Sequence, residues 1–276
     1  MNYNICVVKP EGFVHAAAYF ELAELIGYSL RDLGHDVSMH FNEIRTGATN
    51  IVIGCHLLDA SQIAEMPAAT VIVNTEQIGD DMPWSASILQ WATQFETWDY
   101  SERNLARLTA SGAKKTRLLG IGFHEKMARI GKAAQQDIDV LFYGSVNERR
   151  LKILRQLQAS GCALHAVFGV FGEERDKLIA RSKVVLNMHQ FDAQIFEVVR
   201  VFYLMTNAKA VVTEVDAQTS IDPRYVPGVC VASYDELTSA CLRLAQDDRL
   251  RSELEARALA SIAGFPQSAF TKACLT

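Results

Sequence analysis

No stretch of this sequence approaches the roughly 18 consecutive apolar residues that a membrane-spanning helix needs. The longest near-apolar run, "ALHAVFGVFG" at 163–172, is of strand length. There is no CxxC pair. The six cysteines (Cys6, Cys55, Cys162, Cys230, Cys241 and Cys274) are scattered, mostly in apolar contexts such as Ile5-Cys6-Val7-Val8. They read as reduced core thiols of a cytoplasmic protein, not as zinc ligands or disulfides. Positive charge is not in excess either: the net charge is −5, which removes a general electrostatic case for nucleic-acid binding. The opening "MNYNICVVKP" has no basic region followed by an apolar one, so it reads as a first strand and not a signal peptide. The expectation is a soluble cytoplasmic protein, at most peripheral to the inner membrane, with no transmembrane segment.

Several catalytic signatures are also missing. There is no GxxxxGK[ST], no HExxH, no DxD metal signature and no Gly-x-Ser-x-Gly elbow. Where a dinucleotide fold would carry GxGxxG, the first strand is followed by Lys9-Pro10-Glu11-Gly12. These absences disfavour dinucleotide oxidoreductases, and no metal or cofactor is expected. No internal repeat or low-complexity segment is present.

What is present is a long alternation. The 276 residues are 49 % apolar and 21 % charged, enough for two domains with sizeable cores. Strand-like runs include "NICVVK", "DVSMHF", "NIVIGC", "TVIVNT", "TRLLGIG", "DVLFYGS", "LHAVFGV", "KVVLNMH", "AVVTEV" and "VCVAS". Several show little polar alternation, as strands buried on both faces do. Between them lie helical patterns at 16–32, 101–111, 149–159, 172–182, 195–206, 234–247 and 249–263. Such alternation predicts parallel sheets with helices on both faces. The polar stretch "HEKMARIGKAAQQD" (124–137) reads as a linker. The expected organisation is an α/β chain of two Rossmann-like, doubly wound domains facing a cleft. An acceptor-side domain would occupy 1–130 and a nucleotide-binding domain 137–260, with a tail at 261–276 crossing back to the first domain.

Ligands in open parallel sheets bind beyond the carboxyl ends of the strands, so polar residues there carry the most weight. In "YGSVNERR", Gly144 and Ser145 make a tight turn, Asn147 caps a helix, and Arg149 and Arg150 fall in its first turn. Two arginines oppose the helix dipole, and an anion held between them would offset that. In "KVVLNMHQFDAQIFEVVR", His189 follows a strand, and Glu197 and Arg200 share one face of an almost wholly apolar helix. Charges in such a helix require partners or a ligand. "KAVVTEVD" places Glu214 at another strand end, where a carboxylate suits sugar or ribose hydroxyls and repels phosphate. Arginines for a diphosphate and carboxylates for hydroxyls together fit a nucleoside diphosphate sugar.

The first half offers Asn74, Glu76 and Gln77 after "TVIV", and Asp99 after "FETW". Glu76 is the candidate general base for an acceptor hydroxyl, because burial at a cleft raises a carboxylate pKa. Asp99 reads either as a helix cap or as an acceptor-side group, and His124, in the loop after "LLGIGF", as a structural or cleft-facing histidine.

Taken in order, "NTEQ", "TWDYSERN", "DIDVLFYGSVNERR", "FGEERDKLIARSKVVLNMH" and "IFEVVRVFYLMTNAKAVVTE" resemble bacterial glycosyltransferases of the two-domain GT-B class. The likeness covers roughly residues 70 to 216. It is greatest to a branch with the patterns Leu-Asn-x-His, Phe-Glu-x-x-Arg and Val-Val-Ser/Thr-Glu. The resemblance implies a C-terminal domain that holds a nucleotide sugar, expected to be a UDP-sugar, and an N-terminal domain that holds the acceptor. It implies donor-binding roles for Gly144, Ser145, Arg149, Arg150, His189, Glu197, Arg200 and Glu214, and acceptor-side roles for Asn74, Glu76, Gln77, Asp99 and His124. Catalysis would fall to Glu76, His189 and Arg149. The Glu-x7-Glu motif of many retaining members is absent, since Ile195 and Tyr203 occupy those positions.

The expected activity is metal-independent transfer of a sugar from a nucleoside diphosphate to a hydroxyl acceptor (glycan, lipid-linked intermediate, protein or modified nucleic acid). The alternative is a non-catalytic nucleotide-sugar-binding relic of the same fold acting as a partner subunit.

Overall fold

The computed structural model describes residues 1–80, 82–190, 195–219 and 221–276. The chain forms two compact units, Met1–Ile121 with Pro266–Thr276, and Gly122–Phe265. Among the described residues each unit is built on one wholly parallel sheet.

The first unit contains β1 (Asn2–Val7), β2 (Asp36–Phe41), β3 (Thr49–Ile53), β4 (Val71–Asn74), β5 (Glu96–Asp99) and β6 (Lys115–Leu118). Their order is β2-β1-β3-β4-β5-β6. The central strands β1, β3 and β4 are buried almost end to end, which is why their sequences show no polar alternation. The edge strand β2 keeps its outer face in water. Leu22, Leu25, Ile26 and Leu30 recur at helical spacing and bury one face of the helix Phe20–Asp32. The C-terminal helix Gln267–Leu275 belongs to this unit. Thr271 Oγ1 lies 2.7 Å from Ser29 Oγ, and Gln267 Nε2 donates to the Gly120 carbonyl at 3.0 Å. Gly120 is required there, since a Cβ would lie 2.4 Å from the Phe270 ring.

The second unit contains β7 (Ile138–Tyr143), β8 (Leu164–Val167), β9 (Ser182–Asn187), β10 (Ala210–Glu214) and β11 (Cys230–Ala232), ordered β11-β10-β9-β7-β8. Val140, Phe142, Leu186, Val212 and Leu244 lie in its core. The polar stretch 124–137 forms only one short helical turn, Glu125–Met127. It is fixed within this unit: Asn207 Oδ1 accepts the main-chain N–H of both Arg129 and Ile130 at 2.7 Å. The helix expected from residue 195 begins at Val198. Short helices at Ala60–Ala64 and Ser85–Ala92 were not marked by the sequence pattern. No helix among the described residues is long and apolar enough to cross a membrane.

In each sheet the strand order reverses once, between β1 and β3 in the first unit and between β7 and β9 in the second. At such a switch point the flanking loops diverge and leave a crevice beyond the strand ends.

Candidate active site

The second unit gathers its predicted residues at that switch point. Gly144 ends β7 with φ +145°, a conformation that disfavours any side chain, and a Cβ there would meet Arg200 Nη2 at 3.3 Å. Ser145 Oγ donates to Gln190 Oε1 at 2.6 Å, and Asn147 Nδ2 donates to the Gln190 carbonyl at 2.8 Å. The loops after β7 and β9 are thereby tied together. Asn147 also caps the helix Glu148–Ala159, accepting the Arg150 N–H at 3.0 Å.

The two adjacent arginines do different work. Arg150, 1 % exposed, donates to the carbonyl of Ser145 at 3.0 Å, to that of His189 at 3.3 Å and to that of Met188. It also donates to Glu197 Oε1 at 2.9 Å. Its donors are taken by the protein, so it positions the two loops. Burial lowers its pKa, and the neighbouring Glu197 opposes that shift. Arg149 is part-exposed and forms a two-pronged pair with Glu214, one prong being Nη1 to Oε2 at 2.7 Å. Its guanidinium lies 4.1 Å from the centre of the Tyr234 ring. Arg200 donates to Glu197 Oε2 at 2.8 Å and to Asn187 Oδ1 at 3.0 Å, and lies over the Tyr143 ring.

Glu214 is fully buried, and both its oxygens are occupied. Besides Arg149, Oε2 accepts the main-chain N–H of His189 at 2.9 Å. Expected to receive sugar hydroxyls, it instead fixes Arg149 and the His189 backbone. The His189 residue is 1 % exposed; its Nε2 lies 3.2 Å from Thr219 Oγ1, and its Nδ1 has no hydrogen-bond partner among the described residues. Burial lowers its pKa, with Glu214 and Glu197 opposing.

In the first unit Glu76 follows β4 and is half-buried, with its pKa raised by desolvation. Its Oε1 lies 3.4 Å from the Tyr19 hydroxyl and 3.5 Å from His56 Nε2, while Tyr19 and His56 are 3.2 Å apart. Burial pushes His56 down to about 4, so the ring is neutral at pH 7. The backbone of Glu76 is held by Asn74 Nδ2 and Asn104 Nδ2, each donating to its carbonyl at 2.9 Å. Those two amides also donate to Asp99 Oδ2, at 2.6 and 3.0 Å, and Asp99 Oδ1 accepts the Ser101 N–H at 2.7 Å. Asp99 is completely buried, and desolvation raises it to about 7 against these donors. Asn74 and Asp99 therefore position Glu76 from below. Gln77 Oε1 is buried, with no hydrogen-bond partner among the described residues. His124 lies in the second unit, where its Nδ1 accepts the Lys126 N–H at 3.1 Å and caps the turn at 125–127.

Tyr19, His56, Asn104 and Thr219 were not singled out from the sequence. His56 was findable, because it lies three residues beyond β3 at a strand end. Tyr19 sits in a helical stretch with no local mark, and only folding brings it to Glu76.

No protein-family model matches the chain. Two curated relatives are the uncharacterized proteins L140 and L137 of Acanthamoeba polyphaga mimivirus. They are 25 % identical over 205 residues and 28 % over 192, covering 71 % and 66 % of this chain. The chain spans 65 % and 25 % of the length of these relatives.

Solved structures resemble it over nearly its whole length. Anabaena HepE in complex with UDP-glucose has a TM-score of 0.64 at 11 % identity, covering 100 % of this chain and 98 % of its own. T4 phage BGT in complex with its UDP-glucose substrate has a TM-score of 0.60 at 12 % identity, covering 99 % and 98 %. WaaG, a glycosyltransferase involved in lipopolysaccharide biosynthesis, has a TM-score of 0.61 at 9 % identity, covering 98 % and 97 %. This chain has the GT-B fold. At such identities the likeness is one of architecture, and the chemistry has to be argued from the residues.

Proposed function

We propose that this protein transfers a sugar from a nucleoside diphosphate sugar, of the UDP class, to a hydroxyl acceptor, without requiring a divalent metal. The observation that carries this reading is the gathering of Arg200 at the Gly144 turn and of Arg149 at the His189 carbonyl, with the capped helix Glu148–Ala159, at the switch point of the second sheet. A helix N-terminus and guanidinium groups at such a crevice suit a diphosphate. HepE and BGT were solved with UDP-glucose, which supports the choice of donor.

In the reaction, the bond between the sugar's anomeric carbon and the diphosphate oxygen breaks, and the leaving group keeps the electron pair. Arg149 and Arg200 stabilise the added negative charge. Arg150, Glu197 and Glu214 hold these groups and the two loops in place. The acceptor oxygen bonds to the anomeric carbon and gives up its proton. Glu76 takes that proton, and its raised pKa brings it toward the working pH. A base in this role belongs to an inverting transfer.

Calorimetry with UDP and UDP-glucose tests the donor site, and release of UDP from UDP-glucose tests turnover. Wild-type protein is expected to bind both and to release UDP unchanged by a chelator. Glu76→Gln is expected to bind UDP-glucose normally and release UDP at least tenfold more slowly. Failure to bind either nucleotide overturns the reading. Binding without turnover in the presence of acceptors points to the non-catalytic binder instead.

A further inference from the structure

The hydrogen-bond chain around His189 fixes which ring nitrogen carries the proton. Thr219 Oγ1 lies 3.2 Å from His189 Nε2 and 3.2 Å from Asp216 Oδ1, and it accepts the Asp216 main-chain N–H at 3.1 Å. The same Asp216 oxygen accepts the N–H of Gln218 at 2.7 Å and that of Thr219 at 3.1 Å. These donors, with the Gln218 N–H first, hold Asp216 below the usual carboxylate range. An ionised carboxylate has no proton to give, so the Thr219 hydroxyl hydrogen points at Asp216. The remaining partner of Oγ1 must therefore donate to it. Nε2 carries the imidazole proton, and Nδ1 is a bare lone pair.

That lone pair is buried, with no partner among the described residues. A buried acceptor without a donor is unfavourable until a ligand supplies one. The diphosphate cannot do so, because its ionised oxygens are acceptors themselves. A hydroxyl can. Glu214, the acceptor that the sequence offered for this purpose, has both oxygens bound to Arg149 and to the His189 N–H.

We propose that His189 Nδ1 accepts a hydrogen bond from a hydroxyl of the bound nucleoside diphosphate sugar, on the ribose or on the transferred sugar. His189 is then a specificity residue for a hydroxyl and not a ligand of the diphosphate. This rests on the nucleotide-sugar reading given above. The charged groups that bear on the ring are Glu214, Glu197, Arg149 and Asp216; burial outweighs their sum and keeps it neutral.

Two measurements test it. Long-range proton–nitrogen NMR correlations on the nucleotide-free protein report the tautomer; the Nε2–H form is expected, and an Nδ1–H form overturns the inference by itself. Calorimetry on the wild type then compares UDP with 2′-deoxy-UDP and 3′-deoxy-UDP for the ribose arm. UDP-glucose is compared with its singly deoxygenated glucose analogues for the sugar arm. Removing the recognised hydroxyl is expected to weaken wild-type binding about tenfold and to leave His189→Phe unaffected. If every deoxy compound binds like its parent, or the preference persists in His189→Phe, the inference is overturned while the donor site stands. If the wild type binds neither UDP nor UDP-glucose, the nucleotide-sugar reading falls and takes the inference with it.

Discussion

Arg150 donates to Glu197 Oε1 at 2.9 Å, while Arg200 donates to the other oxygen of the same carboxylate at 2.8 Å. One acidic group thus joins a guanidinium buried under the Gly144 turn to one that borders it. Arg150 reads in the sequence as a second phosphate ligand beside Arg149. In the fold it is a rivet between the loops after β7 and β9.

Replacing Arg150 with alanine would strip three main-chain carbonyls, the Gln190 side-chain oxygen and Glu197 of a donor in a buried setting. Removal of one member of a buried charge pair costs about 3–5 kcal/mol. Urea unfolding should show a loss of that order, and Arg150→Lys should recover only part of it, because one ammonium cannot reach all five acceptors. A near-neutral Arg150→Ala would remove the riveting role.

Arg149→Ala would leave the buried Glu214 carboxylate with the His189 N–H as its remaining donor. The variant should therefore lose stability as well as nucleotide affinity. The pair Arg149→Ala with Glu214→Gln separates the two effects. Its stability should return toward wild type as the uncompensated charge disappears, while UDP affinity stays at least tenfold low. Recovery of both would show that Arg149 serves only to neutralise Glu214.

Gly144→Ala asks a side chain to adopt φ +145° and places a methyl against Arg200. A strained backbone position costs about 1–3 kcal/mol, readable as a lower midpoint in thermal unfolding. UDP binding should weaken further than stability alone explains, because Arg200 must shift. Unchanged UDP affinity in a folded Gly144→Ala protein would count against Arg200 as a donor ligand.

The first unit should carry a pH signature. The His56 pKa in the folded state, about 4, lies below the ordinary histidine value of 6.5 because the ring is buried. As pH falls, the unfolded chain takes up this proton first, so stability declines from about pH 6.5 down to pH 4, by at most ~3 kcal/mol. Glu76, 3.5 Å away, offsets part of that loss where it is ionised. Asp99 works in the opposite sense. Raised from 3.8 to about 7, it contributes stability at low pH that is lost as pH rises through 7. Denaturant unfolding at pH 7.5 and pH 4.5 should show a smaller acid loss in His56→Gln than in the wild type. Equal losses would mean that His56 is not buried as a neutral ring.

Asp99→Ala removes the acceptor shared by Asn74, Asn104 and the Ser101 N–H. Each buried donor left unpaired costs about 1–3 kcal/mol, so the variant should unfold at markedly lower urea. In Asp99→Asn one oxygen becomes an NH2, which in either orientation faces a donor, the Asn74 and Asn104 amides or the Ser101 N–H, and a loss of stability is again expected. A stable Asp99→Asn protein that loses only turnover would restore Asp99 to the acceptor side.

Much of the architecture was legible because strand burial writes itself into composition. "AVVTE" coincides with β10, which is buried throughout, since parallel strands covered on both faces must be apolar and continuous. "DVSMHF" coincides with the edge strand β2, whose mixed polar and apolar residues go with its contact with water. Strand-end position also picked out Gly144, Arg149, His189, Glu197, Arg200 and Glu214, which the fold brings together. The individual roles were not legible. Nothing local distinguishes Arg149, half-exposed over Tyr234, from Arg150, buried against three carbonyls. Their difference comes from the helix rotating successive side chains about a hundred degrees apart, toward neighbours far away in sequence. The Tyr19–His56–Glu76 contact joins three elements and leaves no spacing to read.

By itself the sequence determined two parallel α/β sheets and the loops on which chemistry would lie, because apolar period and turn residues act over a few positions. The tertiary structure alone decided which charges neutralise each other and which atoms stay open. Glu214 is closed by Arg149 and a main-chain amide, whereas one nitrogen of His189 has no partner among the described residues. Hydrogen bonds are satisfied between atoms brought together from 25 to 65 positions apart, and only the folded chain sets those distances.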